Sequence, residues 1–367
     1  MARIRTGIIG MEVGRSWGAV AHVPALRALP DYDITAVGTT RQASADAAAA
    51  HFGIPHAFAD HEALVNSPEV DLVAITVKVP HHLELVTAAI AAGKHVYCEW
   101  PLGNGLAEAE TMAALARARG VKAVVGLQAR SAPAFAFVRD LVAQNCVGEV
   151  LSSSLIGTGL AWGAFVDRPN AYTADRSNGA TMLTIPVGHT LDAICHALGE
   201  VTDVSALIAN RRTTITLAET GEALPLTSED QVAFVARLAG GAVLSAHYIG
   251  GVTKGTGLLW EINGTLGDLR ITGAGGHAQI VDLAVAGAGK DDPAMAPLAV
   301  PESYYSTTLR RGPALNVAEA YARLARDLRD GTSSCPTFDD AVVRHRMIAA
   351  IEESSAKGGW CSLLERQ

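Results

Sequence analysis

The sequence predicts an α/β domain built on a parallel sheet, followed by an α+β domain with an open, mostly antiparallel sheet. Three observations predict it. Short apolar runs alternate with Ala-rich helical stretches through the first third of the chain. A glycine-bearing turn closes the first of those runs. After Gln128 the pattern changes to strand-like runs separated by glycines such as Gly240-Gly241 and Gly250-Gly251. The chain has 367 residues, and at roughly 150 per domain it suggests two. The expected division is 1–130 and 131–367, with the last helix able to pack back on the first domain.

The elements follow in order. Arg3 to Ile9 reads as a strand, Trp17 to Leu29 as a helix, Ile34 to Gly38 as a strand and Ala43 to Phe52 as a helix. Asp71 to Val77 is a third apolar strand, and His82 to Ala92 is a helix closed by Gly93. His95 to Cys98, Ala107 to Arg119 and Ala123 to Leu127 continue the strand–helix–strand alternation. Such alternation implies parallel strands with helices on both faces, and ligands bind beyond the carboxyl ends of those strands, where strand order reverses. Ala134 to Gln144 reads as a linking helix. Strands are expected at Val150 to Ile156, Val201 to Ile208, Gln231 to Leu238, Ala242 to Tyr248, Leu258 to Asn263 and Gly267 to Thr272, with a helix from about His189 to Leu198. Ala288 to Pro301, rich in Gly, Pro and Asp, reads as a loop. Val317 to Arg329 and Phe338 to Lys357 read as closing helices.

Composition narrows the function. Hydrophobic residues make up 49% and charged residues 18%, enough for two cores. The net charge of -8 argues against a nucleic-acid surface, which needs a basic excess. No apolar run approaches the ~20 residues of a membrane span. The N-terminal residues lack a signal-peptide pattern, and five scattered cysteines fit reduced thiols. A cytoplasmic protein is the expectation, with no nucleic-acid or membrane partner.

The first turn runs from Gly7 through Gly10, Gly14, Ser16 and Trp17 to Gly18. A Rossmann domain needs glycines here, for a tight turn and for close approach of backbone N–H groups to a pyrophosphate. The strict G-x-G-x-x-G spacing fails, so the loop is longer than usual. The alternative is a glycine turn without a ligand. The second strand ends Gly38-Thr39-Thr40-Arg41 and carries no carboxylate for ribose hydroxyls. Thr39, Thr40 and Arg41 suit a 2′-phosphate instead, which favours NADP over NAD. Arg41 also reads as a solvated residue opening the next helix.

At Ala92-Gly93-Lys94-His95-Val96-Tyr97-Cys98-Glu99-Trp100-Pro101-Leu102 the chain resembles the glucose-fructose oxidoreductase / inositol dehydrogenase (Gfo/Idh/MocA) family, whose signature there is A-G-K-H-V-x-x-E-K-P. Asp71 to Thr76 and Pro336 to Ala341 extend the resemblance nearly end to end. It implies NAD or NADP, a sugar, polyol or related substrate, and a second-domain sheet that packs against another subunit. It also implies a catalytic group made from the Lys of E-K-P and a later D-x-G-x-H segment. This chain has Trp100 in place of that Lys and Ile185 in place of that Asp, and it keeps His189. With Glu99-Trp100-Pro101-Leu102-Gly103, Val77-Lys78-Val79-Pro80 and Ile185 to Asp192, it resembles a subgroup similar to the galactose-regulon repressors, which bind dinucleotide and act as regulators.

Hydride transfer at a carbinol needs a group that moves the hydroxyl proton. His189 is the first candidate. Lys78, after the third apolar strand, is a candidate to replace the missing Lys; a surface lysine is the plain alternative. Val77, Pro80 and His82 lie on the same rim and are expected near the cofactor. Glu99 suits the turn or the cofactor ribose, or serves as a structural cap. Trp100 has a donor-only indole and suits stacking on a sugar ring or a nicotinamide. Asp192, three residues after His189, shares its helix face and can contact substrate hydroxyls or stabilise the helix. Tyr172 can line a sugar pocket. His189, Asp192 and His196 have ligand-like spacing, but no metal is expected. Two readings compete: an NAD(P)-dependent oxidoreductase, forming a homo-oligomer through the second-domain sheet, and a dinucleotide-binding regulator that works through a protein partner.

Overall fold

The computed structural model describes residues 2–364. The chain divides into two compact units, Met1–Gln128 with Tyr305–Val343, and Ala129–Tyr304 with Arg344–Gln367.

The first unit is built on β1 Ile4–Ile9, β2 Tyr32–Gly38, β3 His56–Phe58, β4 Leu72–Ile75, β5 His95–Glu99 and β6 Ala123–Gly126. All pair in parallel, in the order β3-β2-β1-β4-β5-β6. Strand order therefore reverses between β1 and β4, where α/β sheets open a ligand crevice. β4 is buried at every position, because helices cover both faces of a parallel sheet. Those helices include α1 Val23–Arg27, α2 Gln42–Phe52, α3 His61–Val65, α4 His82–Ala91 and α5 Leu106–Arg119. The helix expected from Trp17 opens differently. Gly18–His22 is a single π-helical turn that runs into α1, a wide turn often found at functional sites. β3 and α3 were not expected, and at three and five residues they are too short to carry a readable period.

The second unit begins with α6 Pro133–Ala143 and contains a nine-stranded sheet. Its strands, with those of a small side sheet, are β7 Val150–Thr158, β8 Phe165–Val166, β9 Val201–Ala209, β10 Thr214–Leu217, β11 Ala223–Pro225, β12 Gln231–Leu238, β13 Val243–Ile249, β14 Leu258–Gly264, β15 Gly267–Gly273, β16 Leu283–Gly289, β17 Ala296–Leu298 and β18 Trp360–Ser362. The large sheet has the order β17-β16-β15-β14-β7-β13-β12-β9-β18, and β11-β10-β8 make the side sheet. In the large sheet β7 and β13 are parallel, and the other described pairs are antiparallel. Burial alternates with period two. On β13, Leu244, Ala246 and Tyr248 face inward while Val243, Ser245 and His247 face outward. α7 Gly188–Leu198 is buried over most of its length, and Phe135 of α6 stacks on Trp260 of β14 at 5.2 Å. The stretch expected as a loop at 288–301 holds the end of β16 and all of β17. β16 reads Leu-Ala-Val-Ala-Gly-Ala-Gly and has little strand propensity of its own, so its conformation comes from pairing with β15 along its whole length.

The two closing helices are α8 Pro313–Asp330, in the first unit, and α9 Phe338–Lys357, which starts in the first unit and ends in the second. α8 begins one turn earlier than its apolar period suggests, with Pro313 at its first position. Val317, Tyr321 and Leu324 bury its inner face in a core shared with Val23, Leu26 and Tyr97. No described helix is long and apolar enough to cross a membrane.

Candidate functional site

In the first unit the glycine turn follows β1 at the point of strand reversal. Gly10 has φ +99°, and a Cβ there would lie 2.6 Å from Val77 Cγ1. At Gly18 a Cβ would lie 2.8 Å from Thr76 Oγ1. These two glycines let the turn and its helix press onto the end of β4, and the Thr76 hydroxyl pins the arrangement by donating to Ile9 O at 2.9 Å. Gly14 has φ +84° with open space beside its Cα, the backbone form a phosphate-approaching loop needs. Ser16 closes the loop: its Oγ accepts from the Glu12 N–H at 2.8 Å and donates to Glu12 O at 3.0 Å. Glu12 and Arg15 are exposed, and Trp17 is half-buried with its indole Nε1 enclosed and unpartnered. At the end of β2 the Thr39 hydroxyl is held by Arg41 O and Ser44 Oγ, at 2.9 and 2.7 Å, while Thr40 and Arg41 are exposed. These residues fit a dinucleotide: glycines where backbone must come close, and exposed hydroxyl and guanidinium groups beyond β2.

The rim after β4 carries Val77, Lys78 and Pro80. Lys78 and Pro80 are exposed and Val77 is half-buried. His82 is buried, and both ring nitrogens meet backbone carbonyls. Nδ1 lies 2.9 Å from Pro101 O and 3.2 Å from Leu102 O, and Nε2 lies 3.1 Å from Val77 O. Burial holds its pKa below the ordinary histidine value. Glu99 ends β5 inside a buried cluster that sequence reading did not foresee. His22 Nε2–H donates to its Oε1 at 2.8 Å, Gln128 Nε2–H donates to both its oxygens at 2.7 and 2.8 Å, and His22 Nδ1 shares a 2.7 Å hydrogen bond with the Tyr321 hydroxyl. The carboxylate is thus occupied by protein partners. Trp100 follows it and is buried.

In the second unit His189 opens α7. It is 3% exposed, its Nδ1 is enclosed without a hydrogen-bond partner, and burial together with nearby His277 pulls its pKa down to about 3. His277 is oriented on both sides: Nε2–H donates to Gly159 O, Nδ1 faces Gln279, and the ring lies parallel to Trp162 at 6.0 Å. The residues next to the two histidines are fastened together. Tyr248 OH donates to Thr190 Oγ1 or Gly276 O, at 2.9 and 3.0 Å. Asp192, one turn along α7, is wholly buried. Its carboxylate accepts from Arg130 Nε at 2.6 Å and from the other Arg130 fork nitrogen, with Arg344 Nε 3.6 Å away. His196 meets Arg139 at 3.1 Å. Tyr172 is half-buried in the turn Arg168–Ala174, and burial raises its pKa. No group of three or more potential metal ligands occurs among the described residues.

Residues 4–127 match the family described as "Oxidoreductase family, NAD-binding Rossmann fold", and residues 133–273 match "Gal80p, C-terminal domain". The dehydrogenase aclE of Aspergillus oryzae is 33% identical over 98% of this chain and 98% of its own. The chain belongs to the Gfo/Idh/MocA family. The levoglucosan dehydrogenase of Pseudarthrobacter phenanthrenivorans is 26% identical over 85% of each chain. A solved super-repressor mutant of Gal80p from Saccharomyces cerevisiae superposes with a TM-score of 0.89 at 25% identity, covering 99% of this chain and 98% of that one. The expected architecture, a parallel Rossmann sheet and then a mostly antiparallel one, is the architecture of this Gfo/Idh/MocA member. Its relatives include both enzymes and regulators.

Proposed function

We propose that the protein is an NAD(P)-dependent oxidoreductase acting on a CH–OH group, or the matching carbonyl, of a sugar, polyol or related compound. The glycine turn at the strand reversal carries this reading, since Gly14, with φ +84° and open space beside it, leaves backbone and no side chain for a pyrophosphate to approach, while Gly10 and Gly18 let the turn pack on the end of β4. The bound dinucleotide supplies the hydride acceptor or donor. The exposed Thr40 and Arg41 beyond β2 suit a 2′-phosphate, which supports NADP over NAD. His189 is neutral at pH 7 by its depressed pKa, and its unpartnered nitrogen, at a cost of about 1–3 kcal/mol, suits a substrate hydroxyl. Lys78, in the first unit, is assigned the charge role that Trp100 cannot fill. The test is titration with NAD(H) and NADP(H), followed by a sugar and polyol panel read at the reduced-nicotinamide absorbance. NADP(H) binds more tightly, Arg41→Ala removes the preference, and Lys78→Ala and His189→Ala each lower turnover at least about a hundredfold. Turnover that survives Lys78→Ala ends its assignment.

A second reading rests on Trp100 and Ile185, which remove two of the three family catalytic groups, and on the match to the Gal80p C-terminal domain. In that reading the protein binds dinucleotide without turnover and signals to a protein partner. Tight cofactor binding with no activity across the panel favours it.

We also propose a homodimer through the outer face of the nine-stranded sheet. Leu259, Ile156, His247, Ala233 and Leu207 form one row across five strands, and Ser154, Ser245, Val235 and Ser205 form the next. Leu207 is 66% exposed, and the serines keep the face flat enough for a second copy to lie against it. Sedimentation gives a dimer at micromolar concentration and a monomer for Leu207→Asp with Val235→Asp. A wild-type monomer refutes the interface.

A further inference from the structure

Three strand ends meet at the reversal point, and two buried histidines join them. His22 lies in the helix entered from the turn after β1, and its Nε2 holds Glu99 at the end of β5. His82 opens the helix after β4. One of its ring nitrogens faces Val77 O, beyond β4, and the other faces Pro101 O and Leu102 O, beyond β5. Residues on both sides of Trp100 are therefore fixed by a histidine: Glu99 before it, and Pro101 and Leu102 after it. Both rings are fully enclosed, at 0% and 1% exposure, and each uses both nitrogens. Gly126 makes room for this packing, since a Cβ there would come within 2.9 Å of Glu99 Oε1 and 2.8 Å of Gln128 Nε2. A histidine of this kind has no free nitrogen for a ligand. Its effect passes through the groups it holds, the Glu99 carboxylate for His22 and the backbone carbonyls of Val77, Pro101 and Leu102 for His82.

We propose that His22 and His82 are positioning residues that clamp the Trp100 turn to the glycine turn and to the β4 rim, so that the placement of Trp100 is set by the two segments that flank the dinucleotide site. The inference rests on the reading of that site as a dinucleotide site. The clamp explains how a large side chain takes the family lysine position in one fixed placement. Trp100 lies between two anchored residues, and each anchor is a buried polar bond that costs free energy if broken.

The test separates the two nitrogens of His22. A glutamine amide stands near the place of Nε2, and an asparagine amide stands near the place of Nδ1. His22→Gln keeps the bond to Glu99 and loses the one to Tyr321, and His22→Asn does the reverse. The readout is the indole N–H resonance of Trp100, assigned by its loss in Trp100→Phe, together with NADH titration of the full chain. His22→Gln and Tyr321→Phe leave the Trp100 resonance near its wild-type position. His22→Asn and His82→Leu displace it, and NADH affinity falls about tenfold, the loss expected for one buried polar bond. The proposal is overturned if Gln and Asn at position 22 act alike, or if none of the variants moves the resonance. Should His22→Asn fail to fold, His82→Leu against Tyr321→Phe decides the question by the same readout. Wild-type protein that binds neither NADH nor NADPH ends the dinucleotide reading, and the resonance alone still decides the clamp.

Discussion

Asp192→Ala will destabilise the second unit by about 3–5 kcal/mol, the cost of leaving a buried charge without its partner. The Asp192 carboxylate is 0% exposed and takes the Arg130 fork through both oxygens, with Arg344 beside it. Arg130 and Arg344 are 8% and 1% exposed, so neither guanidinium can turn to water when the anion is removed. Arg344 also holds Glu200, which leaves it partly paired, and Arg130 carries most of the loss. Asp192→Asn retains acceptor and volume but not charge, and should fall between Ala and wild type. Asp33→Ala, which breaks the half-exposed pair with Arg3, should cost no more than about 1 kcal/mol. Urea unfolding of the three variants checks the order. A loss below 1 kcal/mol for Asp192→Ala would mean that the arginines find other partners, and would return Asp192 to the substrate role that its spacing from His189 suggests.

The contrast between Asp192 and Gly10 marks what the sequence could convey. Gly10 is legible because its cause is local: a strand ends, a turn needs positive φ, and the residues on either side say so. The parallel pairing of the first-unit strands follows from the same local alternation. Asp192 is three residues from His189 on one helix, a true local fact, but its carboxylate is claimed by an arginine 62 positions away. The Glu99 cluster is more remote still, since His22 and Tyr321 are 299 positions apart and neither carries a motif. Polar residues are read from sequence as candidates for ligands, and only the fold reveals which have been consumed by one another. β16 is the opposite case, a segment with weak propensity that becomes a strand because β15 offers an edge. The turn residues that answer to glycine geometry were readable; the buried ion pairs and histidine contacts, set by distant packing, were not.

Acid will weaken the second unit once pH falls below about 6.5. His189 and His345 are each 3% exposed, and burial lowers their pKa values from 6.5 to about 3 and about 4. Both rings stay neutral in the folded protein as pH falls, while in the unfolded chain they take up protons near 6.5. A group with a depressed histidine pKa therefore adds no pH dependence above about 7. Below 6.5 each costs stability, because the unfolded state binds the proton that the folded state refuses. The slope is about 1.4 kcal/mol per pH unit for each ring, and the two together remove about 4 kcal/mol by pH 5. His277, lowered to about 4, works in the same direction. The loss continues until pH reaches the folded values near 4 and 3, where the rings protonate in place and the slope from this source flattens. Replacing His345 with leucine removes one of these proton sites and should reduce the slope by about 1.4 kcal/mol per unit, whatever the substitution does to stability at pH 7. Denaturant unfolding at half-unit steps from pH 7.5 to 4.5 measures this directly. A stability that stays flat from pH 7 to 5, or a slope unchanged in both His345→Leu and His189→Leu, would show that these rings are solvated or paired well enough to accept a proton in the folded state.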